Sequence, residues 1–199
     1  SIAVVEKALA HPSAAVRKNA VMALTDAAGV VPLQYAARLI DDPDPKTQLK
    51  ALVALGLLPP SQENAAALYG RRHTLPKDPW VARAYAHAVL ENGAYYLDEM
   101  LADGSSSPAD GFSLYDQIEE NPEYVLLQRR LASTDLNHVA QLGDWESLPD
   151  ATVSLIGLVL IDVWKSQLHV PDAAELVMMQ RMVDRADSAT QMQFKLRSP

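Results

Sequence analysis

The densest group of residues able to do chemistry is Arg71-Arg72-His73, followed by Lys77, Trp80, Arg83 and His87. Trp80, Arg83 and His87 recur at about one helical turn, so on a helix they share a face. Such a face can take an acidic peptide through its cations, or a carbohydrate with Trp80 as a stacking platform. The competing reading packs Trp80 and part of His87 against a neighbouring helix and leaves the arginines solvated. A metal at His73 and His87 needs a third ligand, for which Asp78 is the candidate. However, no HxxxH or HExxH spacing occurs and the five histidines are scattered, so no metal site is expected.

The remaining polar clusters point to less. Tyr95-Tyr96 beside Asp98-Glu99 either line a groove or belong to the core. From Asp98 to Asp150 the chain holds twelve Asp/Glu and two Arg, which suits a basic partner or a solvated acidic face. Calcium is disfavoured there because the DxDxDG spacing of an EF-hand is missing and Asp103-Gly104 and Asp110-Gly111 stand alone. Glu119-Glu120 with Glu123 is the nearest approach to an acid/base pair, but adjacent helical residues diverge. Ser105, Ser106 and Ser107 lie in a Gly/Ser/Pro stretch with no base nearby in sequence, so they make poor nucleophiles. Neither GxGxxG nor GxxxxGK occurs, so no nucleotide cradle is visible. No catalytic residue and no cofactor is assigned, and the chain is expected not to be an enzyme.

The elements that must position these residues read as helices. Ala and Leu dominate, glycines number 8 and β-branched runs are few. Proline and small or acidic residues punctuate the chain. The pattern predicts helices over Ile2–Ala10, from a Ser13 cap to about Ala28, and over Val31–Ile40, Lys46–Leu57, Ser61–Tyr69, Trp80–Glu91 and Tyr95–Ala102. Beyond Asp103–Gly111, read as a loop insertion, Asn121-Pro122 opens a helix to about Ser133. A short segment follows at Leu136–Leu142. Ser147 and Asp150 form an expected capping box for an apolar helix ending near Leu168, and Pro171-Asp172 with Glu175 opens the last helix, to about Ala186. The expectation is an all-α fold of about twelve helices.

Composition narrows the classes. The chain has 199 residues, 49% hydrophobic and 21% charged, which suits a folded domain or a short solenoid. Having no cysteine, it lacks disulfides, Fe–S clusters, thiolate zinc sites, Cys nucleophiles and CxxCH haem attachment. The net charge of −8 is lopsided: residues 1–99 carry ten Lys/Arg and ten Asp/Glu, residues 100–199 seven and fifteen. An acidic surface repels phosphate backbones and anionic lipid, so no nucleic acid is expected as partner. The most apolar run, Val153–Trp164, is too short to span a bilayer and contains Asp162, so it reads as a buried core helix with no membrane span. The chain begins at Ser1 and ends in LRSP, as expected of a processed chain or of a piece of something longer.

Three stretches repeat: His11–Leu24, Asp42–Leu55 and Asp78–Leu90. Aligned on their Ala and Leu positions, Ala20, Ala51 and Ala86 superpose, as do Leu24, Leu55 and Leu90, with spacings of 31 and 35 residues. One helix pair of this length cannot bury its apolar stripe alone, whereas stacked pairs can. Pro12…Val16-Arg17…Asn19-Ala20-Val21…Ala23-Leu24 and Asp42-Pro43-Asp44-Pro45…Leu49…Ala51-Leu52…Ala54-Leu55 resemble HEAT-like repeats. The resemblance implies an α-α superhelix, with HEAT-like repeats over 1–102, the loop insertion at 103–111 and degenerate helical repeats or a helical cap over 112–199. Thr47-Gln48 replaces the family's usual Val-Arg and breaks its Arg ladder.

The order VRKNAVMAL, DPDPKTQLKALVAL, LPKDPWVARAYAHAV is also similar to the HEAT segment of large exported bacterial redox proteins, between a sugar-dehydrogenase-like β-propeller and a c-type cytochrome domain. That resemblance implies a non-catalytic interaction or spacer module. Its partner would be a protein or a neighbouring domain of the same chain, and a periplasmic or extracellular location would be favoured over the cytoplasm. The binding residues assigned to it are Arg71, Arg72, His73, Trp80, Arg83 and His87. Because HEAT-like folds include bilin lyases and alkyl-base DNA glycosylases, the alternative is a stand-alone HEAT-like enzyme such as a bilin lyase. The glycosylase would need a basic groove, which the acidic balance disfavours.

Overall fold

Acidic caps and prolines open the helices that two of the repeated stretches become. In the computed structural model, which describes residues 2–26, 34–74, 78–103, 121–132 and 144–197, Asp44 precedes α4 (Pro45–Leu57). Its Oδ1 accepts from the Thr47 backbone N–H at 2.8 Å and from Thr47 Oγ1 at 2.9 Å. Asp78 does the same for α6 (Pro79–Glu91), accepting from the N–H groups of Trp80 and Val81. Proline follows each cap, where a missing N–H leaves no bond unmade. The first copy, α2 (Ala14–Asp26), follows Ser13. One turn device is shared: His11 Nδ1 accepts from Ser13 N–H at 3.0 Å, and Asp42 Oδ1 from Asp44 N–H at 2.9 Å.

Measured from Ser13, Asp44 and Asp78, the copies lie 31 and 34 residues apart. The third copy is therefore shifted by one from the alignment on Ala and Leu. Tyr85 and Val89 are fully buried where Ala51 and Leu55 are, whereas Ala86 and Leu90 are only half-buried. The cap sets the helix phase, so the buried stripe follows it rather than the Ala-Leu match. Tyr85 fits in place of alanine because its hydroxyl has partners, donating to Leu68 O at 3.1 Å and pairing with Tyr96 Oη at 3.0 Å.

The chain divides into two compact units, Ser1–Glu99 and Met100–Pro199, with the boundary inside α7 (Gly93–Ala102). In the first, α1 (Ile2–Leu9) packs on α2, α2 on α4, and α4 on α6. The single turn α3 (Gln34–Ala37) packs on α2, α4 and α5 (Gln62–Gly70), and α5 packs on α6. Two polar contacts tie these helices. Arg17 grips Asp42 through both oxygens, Nε to Oδ2 at 2.6 Å and Nη2 to Oδ1 at 2.8 Å, while its Nη1 donates to the carbonyls of His11 and Pro12. Asn92, fully buried at the end of α6, donates from Nδ2 to Leu55 O at 3.0 Å and Ala88 O at 2.9 Å, and accepts Ser61 N–H at 3.2 Å.

The second unit is built on α9 (Asp150–Ser166), which α8 (Pro122–Ala132), α10 (Ala173–Arg185) and α11 (Ser188–Arg197) all contact. Every residue from Thr152 to Ile161 is buried, as the apolar run requires. Gly157 lets Phe194 lie against the backbone of α9, since a Cβ there would stand 2.8 Å from the ring. Among the described residues no helix is long and apolar enough to cross a membrane, and none is in a strand. Ten helices of more than one turn are present among the described residues, where about twelve were expected over the whole chain. The expected capping box at Ser147 and Asp150 is not formed. Pro149 occupies the cap position without a side-chain bond, and Ser147 Oγ turns back to Asp144 O within a 3-10 turn, Trp145–Ser147. The box at Asp172 and Glu175 is formed. The helix α11 lies beyond the last predicted one; Asp187 opens it by accepting Thr190 N–H at 2.7 Å. The predicted segments at 104–111 and Leu136–Leu142 lie outside the described residues.

Two predictions arise here. Hydrogen bonds from Arg17, with Asp44 N–H assisting, hold the Asp42 carboxyl below the ordinary carboxylate range against the opposing effect of burial. The Thr47 backbone N–H and hydroxyl lower that of Asp44. Their stabilisation is complete above the unfolded value of about 3.9 and is lost as pH falls through the lowered folded values. Thermal unfolding of Arg17→Met should therefore show a shallower loss of stability below about pH 4 than the parent; equal slopes would exclude this contact as the source. Leu168 ends α9 with φ 53° in a Schellman turn, His169 N–H donating to Trp164 O and Leu168 N–H to Lys165 O. Leu168→Gly removes the Cβ strain of that left-handed residue and should stabilise the protein by roughly 0.5–1 kcal/mol in denaturant titration.

Candidate functional site

The α6 helix carries a solvent face because its core stripe, Val81, Ala84, Tyr85, Ala88 and Val89, leaves the positions between them outside. Trp80, Arg83 and His87 occupy those outer positions and are all exposed. Trp80 keeps 66% of its surface accessible, whereas Trp145 and Trp164 keep 8% and 6%. The alternative in which Trp80 packs into a neighbouring helix is thus not what the structure shows. The Arg83 guanidinium carbon lies 5.8 Å from the centre of the Trp80 ring, within reach of a cation–π contact. His87 sits on the same side but leans on α4, where a Cβ on Gly56 would stand 2.8 Å from the imidazole Cδ2. Its Nδ1 is 3.8 Å from Glu91 Oε1. Glycine at 56 is what allows the imidazole to lie so close.

The other three predicted residues are placed differently. The Nε of Arg71 lies 2.5 Å from Asp41 Oδ1, without the alignment of a hydrogen bond. Arg72 lies over the Tyr69 ring at 3.8 Å and donates from Nη1 to Tyr69 O at 2.9 Å. Tyr69 in turn meets Tyr96 edge-to-face at 5.5 Å, and Tyr96 reaches Tyr85. Both arginines are thus spent on the first unit itself, Arg72 as the outer end of a tyrosine stack that runs to the underside of α6. His73 is exposed in the turn after α5, and Lys77 lies outside the described residues. The structure brings Trp80 and Arg83 together, sets His87 beside them on the helix, and gives Arg71 and Arg72 internal partners.

Among the described residues no three His, Asp or Glu side chains gather as a metal would require. Tyr96 is core and Tyr95 is exposed, so the pair splits instead of lining one groove. Glu123 is buried in the first turn of α8, while Glu119, Glu120 and Ser105–Ser107 fall outside the described residues. Two polar clusters carry no sequence motif. Tyr124 Oη donates a short hydrogen bond to Asp162 Oδ2, across from α8 to α9. His169 Nε2 meets Glu175 Oε2 at 2.8 Å, with its ring tilted against Trp164. Asp162 breaking the apolar run was the signal for the first. The second had only the spacing of six residues.

Fluorescence tests the exposed face. Acrylamide should quench one emitting class of the three tryptophans, red-shifted and removed by Trp80→Phe. Iodide should quench that class better than caesium, because Arg83 attracts the anion. Equal quenching by both ions, or no accessible class, would contradict this geometry.

Comparison of the chain with family models, with curated proteins and with solved structures finds no match.

Proposed function

We propose that the chain is a non-catalytic protein-interaction or spacer module, with α2, α4 and α6 as successive inner helices of a HEAT-like array and the Trp80–Arg83–His87 face as its contact surface. The carrying observation is Trp80: a large aromatic two-thirds exposed on a helix that buries Val81, Tyr85 and Val89. Exposed tryptophan and arginine are the residues that most often dominate a protein interface. The serial packing of α2 on α4 and α4 on α6 supports the repeat reading, as do the like turn that enters α2 and α4 and the Asp-Pro cap that opens α4 and α6. An acidic or aromatic-binding segment of a partner, or of a neighbouring domain in a larger exported redox protein, fits the cation and the ring.

Site-specific photo-crosslinking in the source cells tests this. A photoreactive residue at position 83 should yield one discrete heavier product, absent when the residue is at position 22 and at least about tenfold weaker with Trp80→Ala. Equal adducts from both positions, or none from position 83, would remove the contact surface.

A further inference from the structure

The outer face of α6 continues onto α4. Counted from the caps Asp44 and Asp78, the second, fifth, ninth and thirteenth residues are Lys46, Leu49, Val53 and Leu57 on α4, and Trp80, Arg83, His87 and Glu91 on α6. None of these is buried, whereas the third, seventh, tenth and eleventh residues are buried in both helices. The two helices pack side by side and end together, with Asn92 Nδ2 on Leu55 O and His87 against Gly56. Like positions therefore look out from the same side. Leu49, Val53 and Leu57 form an apolar strip beside Trp80 and Arg83, and Leu57 is 64% exposed.

The charge on this face has one sign. Between the caps and Glu91, the two helices carry Lys46, Lys50, Arg83 and His87 and no carboxylate. Lys46, Lys50 and Arg83 form no ion pair among the described residues. The carboxylates at the two ends are occupied: Asp44 and Asp78 accept from backbone N–H groups, and Glu91 faces His87. Other arginines of the first unit are answered within it, Arg17 by Asp42 and Arg71 by Asp41.

We infer that this face docks an acidic amphipathic helix of a partner protein, laid along α4 and α6, with its carboxylates at Lys46 and Arg83 around Trp80 and its apolar side on Leu49, Val53 and Leu57. The inference rests on the reading of the α6 face as a contact surface; it adds the chemistry of the partner and the share of α4. An extended polyanion, such as an anionic bilayer, would also meet the rest of a chain whose net charge is −8, whereas a short helix meets this face alone.

The test titrates the full chain with a fluorescein-labelled amphipathic helix of Leu and Glu, and with its Leu/Lys counterpart, by anisotropy. The Glu peptide should bind and the Lys peptide should not. Affinity should fall at least about tenfold in Lys46→Glu with Arg83→Glu. Leu57→Ser should weaken it through α4 alone. All these side chains are outside the core, so the variants should melt as the parent does, which separates loss of contact from loss of fold. No binding of the Glu peptide, equal binding of the Lys peptide, or an unchanged affinity in the double variant or in Leu57→Ser would overturn the inference. So would tighter binding to phosphatidylserine vesicles than to the Glu peptide, or a concentration-dependent doubling of mass abolished by the double variant, which would assign the face to lipid or to self-association. A crosslink from position 83 without binding of the Glu peptide would overturn this inference and leave the contact surface standing; loss of both would remove the surface itself.

Discussion

One carboxamide holds three helix ends together. The Asn92 side chain is wholly buried where α4 and α6 end and α5 begins; its bonds with Leu55 O and Ser61 N–H satisfy backbone groups that helix termini leave open, and its third goes to Ala88 O, which also accepts the Asn92 backbone N–H. Its orientation is fixed by its partners: two carbonyls face the amide nitrogen and one N–H faces the oxygen. Without it Leu55 O and Ser61 N–H would be buried without this partner, at about 1–3 kcal/mol for each group left unsatisfied. The stitch also fixes where α6 lies against α4. That placement lets His87 rest on Gly56 and turns Trp80 outward.

What the sequence made legible depended on local rules. Asp44-Pro45 and Asp78-Pro79 announce their helices because a cap and a proline act within one turn. The outer face of α6 followed from helical spacing alone. What escaped depended on contacts between distant residues. Tyr85 replacing an alanine in the core could not be read, since its place rests on Leu68 O and Tyr96. Nor do flanking residues distinguish Asn92 from Asn64. Both are fully buried, yet the amide of Asn64 has no hydrogen-bond partner among the described residues. The arginines 71 and 72 looked like part of a binding patch because clustered cations usually face solvent; Asp41 and Tyr69, from elsewhere in the fold, claim them.

The second unit follows a different plan. A single helix buried on all sides, α9, replaces the amphipathic pairs of the first, and three helices cover it. Such an arrangement supplies rigidity, and its polar groups, Tyr124 with Asp162 and His169 with Glu175, bond one another. In both units the described polar side chains are occupied largely with structure, and large apolar or aromatic groups are left outside. That distribution supports the interaction surface proposed above.

Amide hydrogen exchange on the parent and on Asn92→Ala tests most directly whether the α6 face is held by this stitch. The account predicts that protection falls together at the end of α4, the start of α5 and the end of α6, while α2 keeps its protection and the α6 face loses its fixed position, seen as altered quenching of Trp80. Loss confined to residues around 88–92, with α4 and α5 unchanged, would contradict it.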